Sequence, residues 1–302
     1  MSLLRKKLAI LYTALIGYVI KWKIDILGAG NMLGLTPKKN GPQLIVSLTS
    51  YGRRVKKVVY YTLVSLLKQE MRPDRIILWV DSDQWNENNL PKKLRLLTGY
   101  GIEIRFCEDI RSYKKLIPSL KDFSNDLLVS VDDDVYYPSR LLKRLYEGYL
   151  LHPADIQCVF YKYPTFDDSG QITPYNNWPT WRCNRGNMVF PVGAGGILYP
   201  PNSLYPDVTR DDLFMKLCPM ADDIWFWFMA LKQGTKQNVV SRNRMKYYAF
   251  DNLYQYFHKS AALTYANSKQ NQNDVQLRNL FEYYGIKNRE DLLNMCHKEN
   301  AQ

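Results

Sequence analysis

The chain is poor in the residues that build covalent and metal frameworks. It has three histidines and five cysteines in 302 residues. Cys107, Cys158, Cys183, Cys218 and Cys296 are odd in number and form no CxxC pair, which argues against a zinc knuckle and a disulfide scaffold. Such usage fits a reducing compartment. No zinc-finger spacing, RNP-type motif or Arg-rich arm accompanies the basic residues, so nucleic acid is not an expected partner. The Gly-rich stretch Val192-Gly-Ala-Gly-Gly-Ile197 does not open a helical pattern, which excludes a P-loop or dinucleotide fingerprint there. Internal repeats and low-complexity tracts are absent too.

What is present narrows the class. Hydrophobic residues at 46% and charged residues at 23% describe a folded protein with a substantial core. Aromatic content is 14%, with 23 Tyr and 7 Trp; such rings fill cores and also line sugar-handling clefts, where they offer an apolar body and a polar tip. The net charge of +12 favours an anionic partner, either a phosphorylated small molecule or a phospholipid surface.

Leu8 to Ile20 is a nearly unbroken apolar run between Arg5-Lys6-Lys7 and Lys21/Lys23. As a helix it rises about 20 Å, short of the roughly 30 Å hydrocarbon core, and no convincing cleavage site follows. Two readings stand side by side. Residues 1–25 form a peripheral helix on a membrane surface, or the helix packs on the protein's own body. The expected location is cytoplasmic, with peripheral attachment to the inner face of the cell membrane under the first reading. Residues 28–42 read as a linker.

Beyond it, strands are expected at 44–49, 75–80, 102–106 and 126–131, alternating with helices at 55–69, 91–97 and 115–120. That alternation predicts an α/β fold with a mostly parallel sheet, in which ligands bind beyond the carboxyl ends of the strands. Thr49 to Tyr51, Asp81 to Asp83, Glu108-Asp109 and Asp132 to Asp134 all fall there. Residues 158–200 read as irregular strands and loops, 222–233 as a short apolar helix, and 261–295 as polar helices.

Asp132-Asp133-Asp134 follows an apolar strand. If the backbone stays extended, Asp132 and Asp134 share a face and Asp133 points away. Two hard oxygen donors on one side suit Mg2+ or Mn2+ together with phosphate oxygens. The stretch Leu128-Val-Ser-Val-Asp-Asp-Asp-Val-Tyr-Tyr-Pro138 resembles the DxD region of GT-A-fold glycosyltransferases, closest to the family 2-like enzymes of bacterial surface-polysaccharide clusters. Ile45 to Tyr51, Tyr113 to Pro118 and Ala221-Asp-Asp-Ile-Trp-Phe226 agree with it in order.

The resemblance implies a GT-A, Rossmann-like three-layer sandwich with a helical C-terminal tail. It divides the chain into an N-terminal helix and linker (1–40), a catalytic domain (41–260, with a nucleotide-binding half at 41–138 and an acceptor half at 139–260) and the tail (261–302). It implies a nucleotide-sugar donor, with a UDP-sugar first in mind, a glycan or lipid-linked acceptor, and Mn2+ or Mg2+. Thr49, Tyr51, Arg53, Asp81, Lys114, Lys115, Asp132 and Asp133 would contact the nucleotide, and Asp134, Asp132 and His258 the metal. Asp222 and Asp223 open an apolar helix, where the helix dipole alone could justify them. In the resembling inverting enzymes an acidic pair at this place supplies the base; Asp223 is preferred for it, with Asp222 on the acceptor. Gly195 and Gly196 would let backbone approach the sugar, with Trp225 nearby. A nucleotidyl- or phosphotransferase and a non-catalytic carbohydrate-binding protein remain as alternatives.

Overall fold

The computed structural model describes residues 3–27, 35, 41–180, 183–243, 245–258, 267 and 271–297. Most of the expected linker, and the start of the expected tail, lie outside these residues.

Helix α1 (Leu3–Leu27) precedes β1 (Leu44–Thr49), α2 (Gly52–Lys57), α3 (Val59–Leu67), β2 (Arg75–Asp81), α4 (Lys92–Thr98) and β3 (Ile102–Cys107). A 3-10 turn at Arg111–Lys115 leads into α5 (Ile117–Asp122), β4 (Leu127–Ser130), β5 (Val135–Tyr136), α6 (Leu141–Leu151), β6 (Ile156–Cys158) and β7 (Tyr161–Lys162). Then come β8 (Arg185–Gly186), β9 (Phe190–Pro191), β10 (Ile197–Tyr199), α7 (Asp211–Leu217), α8 (Asp222–Lys232), β11 (Gln237–Val239) and β12 (Tyr248–Ala249). Helices α9 (Asn252–Phe257), α10 (Gln272–Tyr284) and α11 (Arg289–His297) close the chain.

Eight strands form one mixed sheet in the order β3-β2-β1-β4-β10-β6-β11-β8. The first four are parallel, with Val46 opposite both Ile76 and Val129. Strand β10 runs against β4 and β6, which the one-dimensional pattern did not reveal.

The sheet divides its side chains by the period-two rule. Ile45, Ile77, Trp79, Leu128, Ile197 and Tyr199 face one core, shared with α5, α7, α8, α10 and α11. Leu44, Val46, Leu48, Ile76, Leu78, Val80, Val129 and Leu198 face the other, shared with α3, α4 and α6. Helix, sheet and helix therefore make three layers. The C-terminal helices bury Leu277, Leu280 and Leu292 in the same core as α8, so they complete one layer of the domain.

Three expected helices differ in detail. The one at 55–69 is broken at Val58 (φ −130°, ψ −57°), giving α2 and α3. The one at 115–120 is divided at Leu116 into the 3-10 turn and α5. Helix α1 spans 25 residues and overruns its apolar run at both ends. Helix α6 was not read from the sequence, although Leu141, Leu142 and Leu145 form a buried stripe.

Within α6, Gly148 is set by packing. A Cβ there would lie 2.6 Å from both Gln157 Oε1 and Val240 Cγ1. Gly148→Ala should gain up to about 1 kcal/mol of helix propensity, yet overpacking of this kind costs about 1–3 kcal/mol. A net loss of stability is expected, read as a lower urea midpoint; a raised midpoint would mean that the seam is loose.

Candidate functional site

Strands β1 and β4 run in the same direction, so Thr49 and the Asp triplet emerge at one edge of the sheet. A cavity of about 880 Å³ opens there, large enough for a nucleotide sugar. Thr49, Tyr51, Lys114, Lys115, Asp132 to Asp134, Asp222 and Asp223 all line it.

The triplet does not continue β4. The chain turns at Asp133 and Asp134, so the alternation expected of an extended backbone does not apply. Asp133 is buried and accepts from Ser50 Oγ (2.6 Å) and Arg54 Nη1 (2.7 Å). Asp134 pairs with Arg54 Nη2 (2.9 Å) and accepts from Gln255 Nε2 (3.0 Å). Asp132 faces the other way, its carboxylate 3.4 Å from Lys115 Nζ. The grouping is thus Asp133 with Asp134, and Asp132 apart.

Arg54, in the first turn of α2, also reaches Asp251 (3.2 Å), so one guanidinium serves three carboxylates. Burial, beyond what Arg54 offsets, and the neighbouring Asp133 and Asp132 carboxylates push Asp134 up to about 7.

The second acidic centre sits in the first turn of α8. Ala221 holds the N-cap position, so Asp222 and Asp223 are free to reach outward. Lys115 Nζ lies 2.6 Å from Asp222 Oδ2 and 3.4 Å from Asp223 Oδ1. Together with Asp132, they hold this buried ammonium well above its ordinary value against the pull of desolvation. Asp223 also accepts from the Gly193 N–H at 2.9 Å. Burial, partly offset by Lys115 and reinforced by Asp222 and Asp132, pushes its carboxyl up to about 6. Gly193 is required by this approach, since a Cβ would lie 2.8 Å from both Asp223 Oδ1 and Lys115 Nζ.

Several residues expected at the site are not among those lining the cavity. Arg53 points outward, pairing with Asp251 (2.6 Å) and stacking on Tyr254; Arg54, one residue on, takes its place. Asp81 is buried beneath its own turn, accepting from the Asp83 N–H and Gln84 Nε2. Trp225 is fully buried, its Nε1–H bonded to Val208 O. Gly195 packs on Phe160 and Gly196 on Leu141, and neither lines the cavity; Val192 and Ala194 form that part of the wall. His258 is exposed and stacked on Tyr254, and the residue of α9 that reaches Asp134 is Gln255. Among the described residues no three His, Cys, Asp or Glu converge as a metal cluster. The donor chemistry still fits a hard divalent cation, because Mg2+ and Mn2+ commonly take one or two carboxylates and fill the other positions with phosphate oxygens and water. Asp134, on the cavity wall, can serve as one such carboxylate; Asp132 also lines the wall but faces away from it, toward Lys115.

Sequence reasoning left Ser112 and Asn267 without roles. Both line the cavity, and Ser112 Oγ and Asn267 Oδ1 are buried with no hydrogen-bond partner. A ligand oxygen or N–H would supply one. Lys114, also in the wall, is paired with Asp109.

No protein-family profile matches the chain, and no curated protein matches it. One solved structure to which it is similar is that of S. aureus TarS 1–349, at 14% identity and a TM-score of 0.43, covering 80% of this chain and 72% of that one. Similarity at that level leaves activity to the geometry of the site.

Proposed function

We propose that the protein is a GT-A-type glycosyltransferase that moves a sugar from a nucleotide-sugar donor, a UDP-sugar foremost, to a hydroxyl of a glycan or lipid-linked acceptor in surface-polysaccharide synthesis. One observation carries the reading. Across a single nucleotide-sized cavity at the carboxyl edge of parallel strands, the Asp132–Asp134 turn faces the Asp222–Asp223 pair, with Lys115 between them.

In this reading the acceptor oxygen attacks the anomeric carbon and its proton passes to Asp223. The bond to the nucleoside diphosphate breaks with inversion. Asp223 is suited to the task because its raised pKa makes it a stronger base than an ordinary aspartate while leaving it ionised at pH 7. The Gly193 N–H fixes one of its oxygens and so aims the other. Asp222 holds Lys115 in place. Asp134 would hold a Mn2+ or Mg2+ with phosphate oxygens and water in its other positions, and such an ion neutralises charge on a diphosphate when bound; Asp132, turned away from it, stays with Lys115. Thr49, Tyr51 and Ser112, on the cavity wall, would meet the nucleotide.

Calorimetric titration with UDP, GDP and TDP, with and without Mn2+, tests this. At least one diphosphate should bind on the order of tenfold or more tightly with the metal, and Asp134→Ala should remove the gain. Equal binding with and without metal would sink the metal assignment. Turnover that releases pyrophosphate, with no nucleoside diphosphate, would point to nucleotidyl transfer.

A further inference from the structure

Helix α1 is apolar on both of its faces, and the protein covers one of them. On the covered side Gly17 lies against Ala249 and Phe250, and Ile24 is buried in the core. The helix is held in this orientation by polar contacts at its end: Asp25 pairs with Lys93 (2.6 Å) and accepts from Tyr61 Oη (2.9 Å). On the opposite side Leu11, Leu15, Tyr18, Trp22 and Ile26 are 56–63% exposed. Their spacing of four, three, four and four residues is one continuous stripe along the helix. An apolar stripe of that length is rarely left bare to water.

We propose that this face of α1 is a docking surface for an anionic lipid bilayer, with the helix lying in the plane of the interface. Three observations select lipid as the occupant. The stripe is rich in the amphipathic rings that favour the headgroup level, Tyr18 and Trp22, with exposed Tyr12 at its edge. A basic residue, Lys23, is exposed beside it. Helix α1 carries Arg5, Lys6, Lys7, Lys21 and Lys23 against Asp25 alone. That balance attracts anionic headgroups, whereas a second copy of the same helix would bring like charges together. Spanning is not the mode, because no helix among the described residues is long and apolar enough to cross a membrane. The packing reading describes the covered face, and the membrane reading is the one proposed for the opposite face. The surface does not depend on the activity assigned to the cavity.

The test uses the full chain and sedimentation with vesicles of phosphatidylcholine, alone or with about a third phosphatidylglycerol. Binding is expected to the anionic vesicles and to weaken as salt rises. The double variant Leu15→Glu, Trp22→Glu should lower it on the order of tenfold or more while circular dichroism and elution volume stay unchanged. Brominated lipids should quench part of the tryptophan fluorescence of the unaltered protein, and Trp22→Phe should abolish that part while still binding; this readout survives even if the double variant misfolds. Undiminished binding by a folded double variant, no binding by the unaltered protein, or quenching that persists in Trp22→Phe would overturn the proposal. A dimer that the double variant converts to monomer would overturn it as well, by naming a second copy as the occupant.

Discussion

Replacing Asp223 by Asn is expected to lower kcat for sugar transfer on the order of a thousandfold while leaving nucleoside diphosphate affinity within about twofold, the span that loss of a general base commonly produces. The substitution keeps size and the acceptor for the Gly193 N–H but removes the charge and the basicity. Rapid-mixing or diphosphate-release assays beside calorimetry would separate the two effects. The pH profile gives a second test. The Asp223 carboxyl faces Lys115 and Asp222 on its own side and Asp132 across the cavity, and their balance with burial raises it to about 6. The base works only when ionised, so kcat/KM should hold above that value and fall as pH drops through about 6. Retained turnover in Asp223→Asn would reject this residue as the base and move the role to Asp222.

Lys115→Met is the second large effect. The Lys115 side chain is 8% exposed, and its ammonium serves Asp132, Asp222 and Asp223. Methionine matches the stem but leaves the buried Asp222 facing the half-buried Asp132 and Asp223 without a counter-charge. Removing one partner of a buried ion pair costs about 3–5 kcal/mol at neutral pH. Urea unfolding should show a loss of that order at pH 7, with donor binding weakened too. The gap between variant and unaltered protein should narrow as pH falls through about 6, because protonation of Asp223 removes one of the charges Lys115 balances. Arginine is not expected to rescue, since Gly193 already approaches so closely that a Cβ there would lie 2.8 Å from Lys115 Nζ. A difference under about 1 kcal/mol would mean that solvent screens the cluster as at an exposed pair.

Much of the frame was legible in one dimension. The first four strands were each read within a residue or so at the ends, because each is an apolar run ended by polar residues at its tip. Helix α6 escaped because its stripe, Leu141, Leu142 and Leu145, is short and lies in a segment rich in Tyr and Arg. Asp132 to Asp134, Asp222, Asp223, Lys114 and Lys115 were expected at the site by type and place and line the cavity, whereas Asp81 does not. The misplacements share one cause. Arg53 and Arg54 are adjacent on a helix and therefore point about 100° apart, so the sequence offers both and only the fold selects Arg54. Gln255 and His258 differ by one helical turn, and chemistry favoured the histidine while geometry brings the glutamine to Asp134. Gly193 was passed over for Gly195 and Gly196 because nothing local marks which glycine a distant carboxylate will approach.

By itself, then, the sequence determined the α/β alternation, the carboxyl-edge location of the acidic turn and the chemical types at the cavity. Each follows from periodicity or strand polarity within a short window. Tertiary structure alone decided the partners. Lys115 meets Asp223 across 108 residues and Arg54 meets Asp251 across 197, so these contacts exist only once the three layers have closed. The same closure turned Asp132 away from Asp133 and Asp134, because a backbone that turns at the strand tip no longer obeys the alternation of an extended chain.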